Sequence, residues 1–458
     1  MSADSATAGA PRAAGLRSGF CGAVREAGRD AEAWLPWRRN VAPRPDLVAD
    51  ASCTEDVRRA VAFCREHGHD LGVQCGGHGA VRGQSGGLLL RTGGVARVSV
   101  DPESRTARVG GGARWRAVVA AAARYGLAPV SGTSPEVGVA GYCLGGGLGW
   151  LTRRHGFAAD NLLGAEVVTA DARVLRVGPD REAELFWALR GGGGNFGVAT
   201  ELEMRLHPVK SVRGGVLFYP GERAHAILDA YRASAADEPE DVVTAAVLLR
   251  LPDSADLPEP LRGRSVVALR VCVLSDDRRC RRHVDRLCAA AGTPLLGGLR
   301  PMRFDELTAL SDPQPEAQVS EEHTDLFRVL ADEVIEELTA TCFSPASPVS
   351  VVEVRNWSGA PARLAADTSP AGHRDAPFSV IAIAPRLTPE AHPAARTETA
   401  RLAGRLAPHA AGSVFLNFLS APDRVAAAYT PGNLRRLVEL KRRFDPANLF
   451  RFNHNIRP

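Results

Sequence analysis

No run of ~18 consecutive apolar residues, the length that spans a bilayer, occurs in this chain, and residues 1–15 lack the apolar core of a secretory signal. The expectation is a cytoplasmic protein with no membrane partner and a short disordered start over residues 1–20. Charge of one sign is missing too. The 56 Lys and Arg against 52 Asp and Glu leave a net charge of only +4, interspersed along the chain, so no basic stripe offers itself to a nucleic acid. The nine cysteines contain no C-x-x-C pair and no Cys/His cluster with metal-ligand spacing, so neither a metal site nor a disulfide scaffold is expected. Cys272, Cys280 and Cys288 read as buried small hydrophobes. A P-loop is absent, and tyrosine is scarce, with five in all.

What is present is a large apolar content, 45% of 458 residues, enough for two or three structural units at ~150 residues each. Ser52 and Glu55 have the spacing of a capping box, Val57, Val61 and Cys64 share a helical face, and Gly68 ends that helix. A short strand, Leu71 to Cys75, runs into Gly76-Gly77-His78-Gly79. Strands at 87–92, 96–100 and 105–109 follow, then a helix with Trp115, Val118, Val119 and Ala122. A second glycine cluster, 141–149, reads as a turn before a hairpin at 166–177 and a helix with Leu185, Phe186 and Leu189. The third cluster, 191–197, feeds an alternating strand at 200–206. From Pro208 the character changes to Pro-rich spacers, an acidic helix-like stretch near 321–338, and strands at 349–354 and 378–384. The tail from Arg435 returns to a helix.

Glycine lets backbone N–H groups approach phosphate oxygens, so three Gly-rich turns together suggest a dinucleotide, although any one of them could simply turn a corner. Gly192 to Gly197 satisfies G-x-G-x-x-G, but a helix precedes it and a strand follows, the reverse of a nicotinamide site. His78 places an imidazole where a strand empties into such a turn. From spacing alone, a ligand-facing histidine and a hydrogen-bonding turn histidine both remain open.

Several motifs, in order, carry a family resemblance: Gly76-Gly77-His78, Val137 to Tyr142, Leu144 to Gly149, Asp160-Asn161-Leu162, Leu185 to Gly197, and the ending Asp445 to Asn453. From about Trp37 to Pro458 the chain resembles the berberine-bridge-type FAD-linked oxidases, of a bacterial secondary-metabolism kind. The resemblance implies an α+β fold: a two-subdomain PCMH-type FAD-binding domain over 21–207 and 414–458, with an inserted substrate domain over 208–413 built on an antiparallel sheet flanked by helices. It implies FAD joined through its 8α-methyl carbon to His78. No 6-S-cysteinyl link is expected, because Ser134 stands where many members carry that cysteine; Cys143 matches a different position. The cofactor positions it implies are Gly76, Gly77, Gly79, Ser134 and Gly138, then Gly141, Gly145, Gly146 and Gly147, and finally Asn161, Val198, Asn453 and Asn455.

Flavin chemistry belongs to the cofactor, so the protein must supply orientation, a base and control of oxygen. Val351, Glu353 and Arg355 alternate onto one strand face. By resemblance that face roofs the flavin, with Glu353 as base and Arg355 holding the carboxylate or the substrate; a surface Glu–Arg pair is the alternative. Tyr142 matches a position at the flavin's pyrimidine edge. A Val at 137 resembles the oxidases, in which O2 reaches the flavin. Phe415, in place of a tyrosine base, argues against a sugar oxidase. The expected partners are a small natural-product-type substrate and O2, giving H2O2, in a monomer or homodimer. A dehydrogenase with another acceptor, or a flavoprotein catalysing a non-redox rearrangement, are the alternatives.

Overall fold

The computed structural model describes residues 10–28, 31–311 and 316–458. Its first sheet has four strands in the order Ala23–Glu26, Leu47–Asp50, Leu88–Arg91, Leu71–Gln74; the first pair is antiparallel and the others parallel. The helix Thr54–His67 covers it, burying Val57, Ala60, Val61 and Cys64, and stops at Gly68 in the left-handed region (φ 66). The Ser52–Glu55 capping box does not form. The N-cap is Cys53, one residue later, so the third helical residue is Asp56, whose carboxylate accepts the Ser52 N–H at 2.9 Å while Glu55 turns outward to Arg58. The expected disorder of the first 20 residues is also corrected in part. A helix spans Ala10–Arg17, and Ala13 and Leu16 are buried in the same core as Thr54–His67. Residues 1–9 lie outside the described residues.

The second sheet is antiparallel, in the order Val98–Asp101, Thr106–Gly110, Val198–Arg205, Leu162–Val168, Val174–Val177. Trp115–Ala123 and Ala183–Leu189 pack with it in the largest core. The tail joins this part of the molecule. Leu449 and Phe450 enter the core of the first sheet, and Lys441 on the helix Pro431–Phe444 is buried, donating to Asp445, to the Asn195 carbonyl and to the Phe450 carbonyl. A buried ammonium persists only with such a full set of acceptors.

The third sheet has seven antiparallel strands, in the order Leu296–Met302, Val212–Pro220, Ser265–Val273, Val242–Arg250, Val351–Asn356, Phe378–Ala384, Glu321–Phe327. The helices Ala224–Ala235, Arg278–Ala291, Asp332–Phe343 and His392–Leu406 share one apolar core with one of its faces. The acidic stretch read as helical is therefore an edge strand, Glu321–Phe327, followed by a separate helix from Asp332. Its acidic residues are held by side chains from elsewhere: Glu321 by His392, Glu322 by Arg38, Asp325 by Arg424. Local composition does not contain that information.

Candidate active site

The strand Leu71–Gln74 ends at Cys75, and Gly77 turns the chain with φ 74. A Cβ at Gly77 would lie 2.3 Å from Pro36 Cβ, so this glycine is required by a strap that crosses the turn. The strap is bonded on: the Trp37 N–H donates to the Gly76 carbonyl at 3.2 Å, and the Trp37 ring stacks on His78 with centroids 4.5 Å apart. Gly79 faces open space, and a Cβ at Gly76 would meet only ordinary contacts. Beside this turn runs the segment bearing Ser134 and Val137. Gly138 abuts Cys75 Sγ, and the Val137 carbonyl accepts the Trp115 N–H at 3.1 Å.

The second glycine cluster is not the simple turn expected. Val139–Leu144 is a short helix, and Gly145 caps it. Tyr142 on this helix is 8% exposed and meets Trp115 edge-on at 5.2 Å. Several neighbouring glycines exist to admit its ring. A Cβ at Gly132 would lie 2.9 Å from the ring, at Gly147 2.5 Å, and at Gly149 3.0 Å from the hydroxyl. Burial pushes the Tyr142 phenol well above its ordinary pKa, as does the neighbouring Cys143 thiol, while the Arg355 charge pulls it back. Burial likewise raises the Cys143 thiol, which is 1% exposed and so is not a reactive thiolate. Gly145 and Gly146 are filled by Asn417 and Phe415, whereas Gly141 has open space where its Cβ would be.

Asn417, which the sequence did not single out, ties two distant segments together. Its Oδ1 accepts the Gly147 N–H at 2.9 Å and its Nδ2 donates to the Tyr142 carbonyl at 3.2 Å, so it staples the segment that carries Tyr142. Asn161, expected at the cofactor, is engaged within the protein. Its Nδ2 donates to the carbonyls of His155 and Phe157 at 2.9 Å, and its Oδ1 meets His207 Nε2 at 2.8 Å. Burial pushes His207 down to about 3, so the ring is neutral and donates this bond. Val198, on a strand of the second sheet, is buried in the core that it shares with the first sheet. Asn453 donates from Nδ2 to the Gly194 carbonyl at 2.9 Å, beside the Gly193–Asn195 turn that binds the tail through Asn195.

Across from Tyr142, Val352 and Val354 point into the helix-covered core and leave Val351, Glu353 and Arg355 on the other face. The surface-pair alternative fails, since the side chains of Glu353 and Arg355 are only 12% and 10% exposed. Glu353 lies between two guanidiniums, with Oε1 bonded by Arg355 and Oε2 by Arg270 Nη1 at 2.8 Å. Arg270 was not singled out in the sequence, although a lone charge inside Val266-Val267-Ala268-Leu269-Arg270-Val271 was a readable signal. Phe157, Trp357 and Phe415 form a separate buried aromatic cluster, with ring centroids 5.0–5.4 Å apart.

Buried polar atoms with no hydrogen-bond partner among the described residues include Tyr142 Oη, Ser131 Oγ, Ser379 Oγ beside Arg355 in the sheet, and the Oδ1 atoms of Asn453 and Asn455 in the tail. Buried orphans of this kind are costly unless a ligand meets them. With open space at Gly79 and Gly141, they fit a large cofactor bearing both donors and acceptors. Comparison with known proteins agrees. A model described as FAD binding domain matches residues 45–178, and one described as berberine and berberine-like matches 414–457. An (R)-6-hydroxynicotine oxidase of Paenarthrobacter nicotinovorans is 31% identical over 92% of this chain and 93% of its own. The chain belongs to the berberine-bridge-type FAD-linked oxidases. The crystal structure of 6-hydroxy-D-nicotine oxidase from Arthrobacter nicotinovorans superposes with a TM-score of 0.82 at 28% identity, covering 96% of this chain and 98% of that one. The BBE-like 1 protein of Physcomitrella patens, at 19% identity and a TM-score of 0.86 over 97% of this chain and 99% of its own, shares the fold. As in any such oxidase, FAD is the cofactor. No helix among the described residues is long and apolar enough to cross a membrane.

Proposed function

We propose that this FAD-linked oxidase holds its flavin covalently through His78 alone and oxidises a small natural-product-type substrate, passing the electrons to O2 as hydrogen peroxide. The observation that carries the reading is the half-buried carboxylate of Glu353, clasped by Arg270 and Arg355 on the sheet face opposite Tyr142. Bound FAD supplies acceptance of a hydride and its delivery to O2. Glu353 takes the accompanying substrate proton on its carboxylate, and the two arginines fix the direction of its lone pairs. The Tyr142 hydroxyl, buried and protonated, donates a hydrogen bond where negative charge develops. Ser134 in the second-anchor position and the buried Cys143 support a single tether. Val137 supports O2 as acceptor over another carrier.

The Paenarthrobacter relative is an oxidase of (R)-6-hydroxynicotine over nearly the whole length. A glucooligosaccharide oxidase of Sarocladium strictum matches over only 35% of this chain. Phe415, in place of a tyrosine base, supports a weakly polar substrate over a sugar. Acid precipitation followed by peptide mass spectrometry tests the tether. The peptide containing His78 is expected to carry the flavin mass, and free FAD in the supernatant would overturn it. Aerobic turnover is expected to release peroxide in step with substrate loss.

A further inference from the structure

Cys21 and Cys53, separated by the segment 22–52, are brought together at the edge of the first sheet. Cys21 is exposed, Cys53 is half-buried, and both are free thiols. Their Sγ atoms lie within 4.8 Å of each other and of a carboxylate oxygen of Asp56. The buried Asp56 fixes both backbones. It accepts the N–H groups of Cys21 at 2.6 Å, Gly22 at 3.0 Å and Ser52 at 2.9 Å, and the Ser52 hydroxyl at 3.0 Å. Gly22 locks the approach further, since a Cβ there would lie 1.9 Å from the Asp50 carbonyl oxygen. With four donors on its two oxygens, Asp56 is spent as a metal ligand, and sulfur–sulfur chemistry is what the cluster retains.

We infer that Cys21 and Cys53 form a dithiol modification site that hydrogen peroxide converts to an intrachain disulfide. One thiolate attacks the peroxide, giving a sulfenic acid and releasing one water once protons are balanced. The second thiol displaces the sulfenic hydroxyl, the S–S bond forms and a second water leaves. Two thiols lose two electrons and one peroxide gains them. Peroxide is the product of the oxidase reaction proposed above, and the physiological source rests on that reading; the site itself does not. The neighbouring Cys53 thiol and then the Asp56 charge raise the Cys21 thiol, against the pull of Arg59, so oxidation quickens as pH rises. The segment so closed carries Trp37, stacked on His78, and Pro36, seated on Gly77. The disulfide would therefore tie the strap over the His78 turn to the start of the helix Thr54–His67.

The test treats the holoprotein, without substrate, with hydrogen peroxide, then alkylates the remaining thiols and digests without reductant. Two of the nine thiols are expected to disappear, with a linked peptide pair containing Cys21 and Cys53 that dithiothreitol separates. Cys21→Ser and Cys53→Ser should each abolish the pair and leave basal activity intact; should a variant not fold, the wild-type peptide map alone decides. Both thiols remaining alkylatable, Cys21 ending as a sulfinic acid with Cys53 unchanged, or stoichiometric zinc(II) shielding both thiols would overturn the site. A second arm runs aerobic turnover with and without catalase. A crosslink from added peroxide but none from turnover would leave the dithiol standing and overturn the enzyme's own product as its oxidant.

Discussion

Two neighbouring rows cross the same four strands of the seven-stranded sheet and point in opposite directions. One is Leu269, Ala246, Val354 and Val380, all fully buried beneath helices. The next is Arg270, Ala245, Arg355 and Ser379, on the face turned toward Tyr142. The first row is apolar and complete within the protein. The second holds two guanidiniums and a buried hydroxyl without a partner among the described residues. A single-residue step in register thus separates a row that stabilises the fold from one that the proposed function places on the substrate side.

The largest expected effect separates the rows by chemistry. Glu353→Gln keeps the shape of the arginine-clasped side chain and removes the base, so anaerobic flavin bleaching by substrate should slow by ~10²- to 10⁴-fold in protein that still holds its flavin. A near wild-type rate in stopped flow would make the second row structural too. On the first row, Leu269→Ala should behave the opposite way, lowering stability by about 2–5 kcal/mol in urea titration while each intact flavin is reduced at the normal rate. Equal losses of stability in both variants would erase the distinction. The smallest effect is expected from Ser379→Ala. Removing an orphaned hydroxyl should shift stability by no more than about 1 kcal/mol, in the stabilising direction. A larger loss would mean that the hydroxyl already has a structural role.

Periodicity and glycine spacing made much of this legible. The alternation of Val351, Glu353 and Arg355, the helix stopped by Gly68 and the strand entering the His78 turn depend on neighbours in sequence. The remainder depends on partners that sequence does not place nearby. Glycines that suggest a phosphate cradle at 147 and 149 instead make room for the Tyr142 ring, while those at 145 and 146 receive Asn417 and Phe415. Asn161 is a cofactor position that the resemblance implies, and nothing local reveals that its Oδ1 meets His207, 46 positions on. The capping box slipped by one position because Asp56 had a further duty, binding the Cys21 and Gly22 amides. Arg270 was visible as a lone charge in an apolar strand, yet only pairing across the sheet brings it to Glu353.

The bond from the Gly147 amide to Asn417 joins residues 270 positions apart, and Asn195 similarly waits for Ile456, 261 positions on. Contacts so distant along the chain close late, since loop-closure entropy opposes them until most of the molecule is in place. On the ribosome, the segment bearing Tyr142 emerges long before the residues that brace it. A chain truncated before Asn417 would therefore make the His78 turn while leaving the Gly147 amide without the acceptor that braces it.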